Sequence, residues 1–347
     1  MDVTQVLSDH KVIGSGYRKG QIIPPSKVEP LDLRISTQQI WVDTGANYAY
    51  MTNGDTIERY SMQDGKRLWA SRYTISDGST AGQTFHGGVM PDGTFVGWCS
   101  FRSTITYKPI INTAGGSQIK PEYYSDYINS MAVLPDNRVL IYLSGSNAVP
   151  NQGLNMFSGS GSKYWTNGAL TSAIQPGSAG YDSSGNVVFV DGNWQLFRLN
   201  KSTGAVITQT ALLTLIGNGV IQVIFVGSAL FVRVGPTIYK VDVNTFSKVY
   251  SYTIPGTTQS PYIMGFDGDN NLLITDQSSS GSWYKKCMRV DNTQSNPTGL
   301  TEISVVSSMF SYENALGYRV VHNKAKKYYF WGDYGRKISE TSGYLLI

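Results

Sequence analysis

The stretch TIERYSMQDGKRLW, Thr56 to Trp69, reads as two short strands around a tight turn. Ile57, Arg59 and Ser61 alternate with Glu58, Tyr60 and Met62; Gln63-Asp64-Gly65 turns the chain, and Lys66-Arg67-Leu68-Trp69 leads back out. Asp-Gly between two alternating runs is a strong local hairpin signal, because both central residues reach positive φ at little cost. The same shape returns in LFRLNKSTGAVI, Leu196 to Ile207, and in IYKVDVNTFSKVY, Ile238 to Tyr250. The stretch is therefore one copy of a repeat, and the repeat sets the fold.

Each hairpin is preceded by a strand, a turn and a more apolar strand. Such turns lie near Gly45, Asp92, Asp136, Ser184, Gly227, Asp269 and Lys324, with a period in the forties that stretches to 55 at the last step, from Asp269 to Lys324. Four strands per unit at that period is the pattern of β-propeller blades, whose units cannot bury both faces alone and so stack on their neighbours. The expectation is an all-β chain, a seven-bladed β-propeller of four-stranded blades over residues 39–347. Residues 1–38 form a separate extended arm, stiffened by Pro24-Pro25 and Pro30. Six blades is the rival count, since the second and sixth units are the least regular.

IERYSMQDGKRLW resembles the blade ending of quinoprotein-type, PQQ-repeat-like propellers, in which an aspartate, a Thr-Gly-Lys turn and a tryptophan recur. Gly65, Lys66 and Trp69 match that pattern, Ser61 stands where the aspartate falls, and Asp64 replaces the threonine. LNKSTGAVI keeps Thr203-Gly204 without the tryptophan, and VDVNTFSKVY keeps Asp242 without the glycine. The resemblance implies the architecture; a quinone cofactor and its calcium are what it would imply for an enzyme.

Composition narrows the function. The 347 residues are 41% hydrophobic, enough for a core, but only 15% charged, against about 25% in an average soluble domain. With 37 glycines and 23 tyrosines, this favours many short strands and a polar, weakly charged surface. A net charge of +4 does not argue for nucleic acid, and the basic residues near the C-terminus (Arg319, Lys324, Lys326, Lys327, Arg336, Lys337) read as a solvated edge. MDVTQVLSDHKVIGSG has no basic segment followed by an apolar one, so no signal peptide is expected. No run reaches the ~18 apolar residues of a membrane span. Cys99 and Cys287, far apart in strand-like contexts, read as two buried thiols.

Nothing in the sequence composes a catalytic set. The three histidines, His10, His86 and His322, share no metal-clamping spacing. His86 could serve as a general base facing a central channel, against a hydrogen-bonded loop histidine as the plainer reading. Asp267, Asp269 and Asn271 hold the first, third and fifth positions of a calcium loop, but Leu272 and Ser278 replace its glycine and its bidentate glutamate, so a β-turn is the better reading. Gly14 to Gly20 and Gly159 to Lys163 lack the ending of a phosphate loop. No catalytic residue, metal ligand or cofactor is assigned.

Aromatic residues in loops on one face form the candidate binding surface: Tyr123, Tyr124, Tyr127, Trp194, Trp283, Tyr284 and Tyr334. Tyr and Trp among Ser, Gly and Asn gain contact area at low entropic cost; the structural alternative is that each plugs a gap between blades. LSGSNAVPNQGLNMFSGSGSKYW, Leu143 to Trp165, reads as a long rim or docking loop. Together these features lead to the expectation of a non-enzymatic structural or recognition propeller, a bacteriophage virion component of tail, spike or capsid. It would contact other structural subunits through the arm and loop face, or a host surface glycan or protein, without nucleic acid or membrane insertion. A quinoprotein-like cofactor- or glycan-binding propeller enzyme is the alternative.

Overall fold

The computed structural model describes residues 40–42, 47–53, 56–61, 66–72, 84–101, 106–119, 127–144, 152–253, 262–266, 271–276, 286–290, 300–305, 320–323, 328–331 and 336–339. Over these residues the chain is all-β, with one short helix, and runs as successive antiparallel meanders. The first comprises β1 (Ile40–Val42), β2 (Tyr48–Asn53), β3 (Thr56–Ser61) and β4 (Arg67–Arg72). The second comprises β5 (Thr84–Val89), β6 (Phe95–Phe101), β7 (Thr106–Asn112) and β8 (Gln118–Ile119), and the third β9 (Tyr127–Val133), β10 (Arg138–Ser144), β11 (Gly153–Ser158) and β12 (Lys163–Asn167). The fourth is β13 (Gly180–Tyr181), β14 (Val187–Val190), β15 (Gln195–Leu199) and β16 (Val206–Ala211), followed by helix α1 (Leu212–Ile216). The fifth is β17 (Val220–Val226), β18 (Ala229–Val234), β19 (Thr237–Asp242) and β20 (Ser247–Thr253). The last seven strands share one sheet: β21 (Tyr262–Phe266), β22 (Leu272–Asp276), β23 (Lys286–Val290) and β24 (Leu300–Val305), then β25 (Val320–Asn323), β26 (Tyr328–Trp331) and β27 (Arg336–Ser339).

Several successive units meet through their first strands. β1 lies against β5, β5 against β9 and β17 against β21, while β21 and β25 pair in parallel through Gly265 and Phe266 with Val320 and Val321. The three hairpins expected from the repeat are present: β3 pairs with β4 (Arg59 opposite Trp69), β15 with β16, and β19 with β20. The turns expected at Asp92, Asp136, Ser184 and Gly227 join the first two strands of their units; those at Gly45, Asp269 and Lys324 lie outside the described residues, as does the arm.

The continuous apolar runs in the second strands follow from burial on both faces. In β10, Val139, Ile141 and Leu143 face the second unit with Met90, Val96, Trp98 and Ile111, whereas Leu140 and Tyr142 face the fourth with Val187, Phe189 and Phe197. In β14 the period repeats: Val187 and Phe189 turn back to the third unit, Val188 and Val190 forward to the fifth. β18 does likewise, with Leu230 and Val232 on one side and Ala229 and Phe231 on the other. A strand alternates its side chains between faces, so a sheet flanked on both sides must be apolar at every position. The core is thus a series of slabs between sheets.

Two seams, between the first and second units and between the third and fourth, are locked on the outer side by a polar clamp. The Trp69 indole N–H donates to the Ala114 carbonyl at 2.9 Å, and the Ser71 hydroxyl to the Gly116 carbonyl at 3.1 Å. Two units on, the Trp165 indole donates to the Lys201 carbonyl at 2.9 Å, and the Asn167 amide to the Gly204 carbonyl at 2.8 Å. In both places the indole lies on a left-handed glycine, Gly116 (φ 90°) or Gly204 (φ 71°), where a Cβ would come within 2.8 and 2.5 Å of the ring.

The stretch from Leu143 to Trp165 is corrected by the structure. It is not one long loop: β11 and the start of β12 lie inside it, joined through a turn whose Ser158 N–H donates to Ser162 O at 2.9 Å. Its Gly-, Ser- and Asn-rich composition concealed a strand buried on both faces. Asn155 is completely buried there, accepting from the Thr166 hydroxyl at 2.5 Å and donating to the Gly153 carbonyl at 3.0 Å.

The connection from β12 to β13 crosses the end of the fourth sheet. Gly192 N–H donates to Ala173 O at 2.6 Å, Gln175 N–H to Val190 O at 2.8 Å and Phe225 N–H to Gly177 O at 2.7 Å. Ile174 N–H donates to the Ser130 hydroxyl at 2.7 Å, which ties the crossing back to β9. No helix among the described residues is long and apolar enough to cross a membrane.

Candidate functional site

Of the seven aromatic residues expected on the loop face, Tyr123, Tyr124, Trp283, Tyr284 and Tyr334 lie outside the described residues. Tyr127 opens β9, opposite Ser144, the last residue of β10. Trp194 sits in the turn between β14 and β15. The two therefore share the same end of neighbouring sheets.

The turn explains what Trp194 does. Asp191 is buried, and its Oδ1 accepts from the Asn193 N–H at 2.9 Å and the Gln195 N–H at 2.8 Å, which holds Trp194 in a left-handed conformation at φ 60°. Trp194 N–H donates to Asp191 O, and Trp194 O accepts from Leu212 N–H at 2.9 Å, joining the turn to α1. The indole is half-buried against the slab containing Leu212, Ile216 and Val220. It works as a wedge under the connection from β16 to β17, and its remaining exposed surface belongs to the loop face.

The densest group of titratable side chains lies at the opposite end, on the seam between the third and fourth units. Asp136, in the turn between β9 and β10, accepts from the Lys201 ammonium at 2.7 Å and the Tyr181 hydroxyl at 2.5 Å, with Arg138 Nε at 3.3 Å. The Lys201 ammonium lies 4.5 Å from the Tyr181 ring centroid, and the Arg138 guanidinium 4.2 Å from that of Tyr164. Burial alone would raise the Asp136 pKa; hydrogen bonds from Lys201 and Tyr181 and the nearby cations outweigh it and hold the carboxyl below the ordinary aspartate value. Tyr181 is shifted upward, first by burial and then by donating to Asp136. A carboxylate so satisfied is no general base.

The next seam repeats the logic with different residues. Arg198 Nε meets Asp182 at 2.9 Å, both side chains largely buried, and Arg198 Nη2 donates to the carbonyls of Val243 and Asn244 at 2.5 Å each. Its guanidinium stacks 4.6 Å from the Phe246 centroid. On the first seam, Arg59 donates to the Ala114 carbonyl and stacks 3.9 Å from the Tyr48 centroid. Beside it, buried Glu58 accepts from Arg67 at 2.8 Å and from the Tyr60 hydroxyl at 2.5 Å. Burial, then the bond to Glu58, pushes the Tyr60 pKa up to about 12. Arg59, Arg198 and Lys240 hold matching places in the third strands of their units.

Sequence reading did not find these clusters. Asp136, Tyr181 and Lys201 are 45 and 65 residues apart (181 − 136 and 201 − 136), and only the stacking of units joins them. A cation at a fixed place in the third strand was the available signal. Among the described residues no group of His, Cys, Asp and Glu is arranged to hold a metal ion. His86 pairs with Trp98 in the β5–β6 ladder and His322 with Tyr329 in β25–β26; Cys99 and Cys287 lie in β6 and β23, in different sheets. The calcium-like run, Asp267 to Asn270, and the glycine-rich Gly14 to Gly20 lie outside the described residues.

No family model matches the chain, and no curated protein matches it. Among solved structures, a protein of unknown function from Bacteroides caccae aligns over 63% of this chain and 81% of its own, at 12% identity and a TM-score of 0.39.

Proposed function

We propose that the chain is a seven-bladed β-propeller that works without catalysis, as a rigid structural or recognition disc. Three observations support the closed arrangement: five four-stranded meanders followed by a seven-stranded sheet, first strands that adjoin at β1–β5, β5–β9, β17–β21 and β21–β25, and slabs of apolar side chains between consecutive sheets. The observation that carries the non-enzymatic reading is the use made of charge. The clustered ionisable groups around Asp136, Arg198 and Glu58 each bridge strands or units and are satisfied by their neighbours. Their chemistry is spent on holding units together.

Within that reading the protein is a component of a bacteriophage virion, in tail, spike or capsid. Residues 1–38 anchor it on another subunit, and the loop face with Tyr127 and Trp194 contacts neighbouring subunits or a host surface glycan or protein. Support comes from the weakly charged Tyr-, Gly- and Ser-rich composition and the long segment before β1. Sedimentation of the protein from its native source in gentle buffer tests this. Co-migration with a particle of megadalton size supports it; migration near the 38.1 kDa of the single chain refutes the virion reading. Deleting residues 1–38 should abolish incorporation and leave the propeller folded. A bound chromophore in the absorbance spectrum would instead favour the quinoprotein-like alternative.

A further inference from the structure

Asn-Gly pairs stand in the chain at Asn53, Asn167 and Asn218. Asparagine is a thermolabile residue, and before glycine it has a reaction open to it: the glycine nitrogen attacks the asparagine side-chain amide. Glycine permits this because it has no Cβ to crowd its own nitrogen or restrict the backbone. The fold treats two of these pairs in opposite ways; Gly54, which follows Asn53, lies outside the described residues.

At Asn167 both ends of the amide are held. Its Nδ2 donates to the Gly204 carbonyl at 2.8 Å, across the seam to the fourth unit, and its Oδ1 accepts from the Ala169 N–H at 3.0 Å. Asn167 also closes β12, paired with Leu154. Swinging its Cγ onto the Gly168 nitrogen would break both hydrogen bonds, so the reacting atoms are held away from attack. Asn218 lies in the connection from α1 to β17 between Gly217 and Gly219, and all three residues are exposed. Among the described residues, neither the Asn218 amide nor the Gly219 N–H makes a hydrogen bond. Gly217 has φ 90° with nothing within 4 Å of a Cβ built there, and Gly219 has φ 92° with only Val234 Cγ1 near, at 3.6 Å. Packing therefore does not hold the chain on either side of Asn218, and water reaches its amide.

We propose that Asn218 is a site of self-modification, a slow deamidation to aspartate and isoaspartate, while the fold keeps Asn167 intact. The Gly219 nitrogen gives up its proton and bonds to Asn218 Cγ; the Cγ–Nδ2 bond breaks, ammonia leaves, and a cyclic succinimide remains. Water then opens the ring. Cleavage between Gly219 N and Cγ leaves aspartate; cleavage between Gly219 N and the main-chain carbonyl carbon leaves isoaspartate, with the chain routed through Cβ and Cγ. In sum a water is consumed and an ammonia released, with no change of oxidation state. Either product adds a carboxylate where a neutral amide stood. Isoaspartate also adds a carbon to the main chain just ahead of Val220, which is buried in the slab that Trp194 packs against and is paired with Val234. The change thus falls on the loop face, at the seam between the fourth and fifth units, and stands apart from the virion reading.

The test incubates the full chain in mildly alkaline buffer, folded or in urea, and follows each asparagine by peptide mapping and mass spectrometry. In the folded chain Asn218 should convert about tenfold faster than Asn167, equivalent to ~1.4 kcal/mol in barrier. In urea the bonds that hold Asn167 are gone, and the two should convert at similar rates. A protease that cuts before aspartate but not before isoaspartate separates the two products, and both are expected. Asn218→Gln lengthens the side chain at an exposed place, so it should stop the conversion there and leave the circular dichroism spectrum unchanged. No conversion of Asn218 in the folded chain, equal folded rates at the two sites, or a preference for Asn218 that persists in urea would each overturn the proposal.

Discussion

Replacing Gly204 by alanine measures how much the Trp165 clamp contributes to holding the third and fourth units together. Gly204 has φ 71°, a conformation that costs an L-residue about 1–2 kcal/mol. The new Cβ would also lie 2.5 Å from Trp165 Cε3, so the indole must move. Overpacking of that kind costs about 1–3 kcal/mol. Moving the indole strains its bond to Lys201 O and the neighbouring bond from Asn167 to Gly204 O, at 2.9 and 2.8 Å, each with a net value of about 0.5–1.5 kcal/mol. The expected loss is about 4 kcal/mol. Gly185 is the control: its φ is 77° and nothing lies within 4 Å of a Cβ built there, so Gly185→Ala should cost only the conformational ~1–2 kcal/mol. The entropic effect of alanine on the unfolded chain is common to both and cancels. Urea unfolding followed by circular dichroism compares the two midpoints and slopes. In a Trp165→Ala background the cost of Gly204→Ala should fall to that of Gly185→Ala, because the clash partner is gone. Equal costs in the wild-type background, or an undiminished cost without Trp165, would refute the clamp.

Other expectations follow from the seams. Arg198→Met leaves Asp182 buried without its partner and should cost about 3 kcal/mol; the double variant with Asp182→Asn should cost less than the sum, and additivity in the cycle would show that the pair is not coupled. Asp136 has a lowered pKa in the folded protein, so its contribution is complete above the ordinary aspartate value of about 3.9 and is lost as pH falls below it through the folded value. Asp136→Asn should therefore narrow the stability gap to wild type as the acid limb is descended below about pH 4; a constant gap would refute this. Tyr60 has a raised pKa, so its contribution is complete below about pH 10 and is lost as pH rises towards about 12; Tyr60→Phe should flatten the alkaline limb in that window, checked by melts against pH. Trp194→Ala removes a half-buried wedge and should lower stability by about 2 kcal/mol, somewhat below the range for fully buried large-to-small changes. A stability-neutral Trp194→Ala would place the indole's role in ligand contact alone.

The hairpins were legible because turn chemistry and alternation act over a few residues. Gln63-Asp64-Gly65 and Asn200 to Gly204 signal their turns wherever the units go; Asn200 Oδ1 accepts from the Ser202 and Thr203 N–H groups within its own turn, at 2.9 and 3.1 Å. β11 was not legible: Asn155 breaks the apolar pattern and is acceptable because Thr166, on the next strand, and the Gly153 carbonyl satisfy it. In β3, Ile57, Glu58 and Arg59 are all buried, although alternation alone would set Glu58 on an exposed face. Arg67 of β4 and the Ala114 carbonyl of the next unit make those charges tolerable. Of the loop-face aromatics, Trp194 could be named from sequence as an aromatic in a turn. That half of its indole is consumed by α1 and the slab beneath depends on where that helix lands.

The all-β class, the three hairpins of the repeat and the positions of the described turns could be read from the sequence alone. These rest on short-range torsional preferences and on the period-two geometry of strands, which neighbouring residues express without help. Tertiary structure alone decided which charges meet and which apolar residues remain in solvent. Asp136, Tyr181 and Lys201 converge because two units stack, and Leu68, Tyr164, Ile207 and Val249 stay exposed because each is the extra residue of a β-bulge in the last strand of its sheet. Electrostatic and apolar contacts act through space, so their partners are fixed by where units stack and where sheets end, neither of which is written in any short stretch of chain.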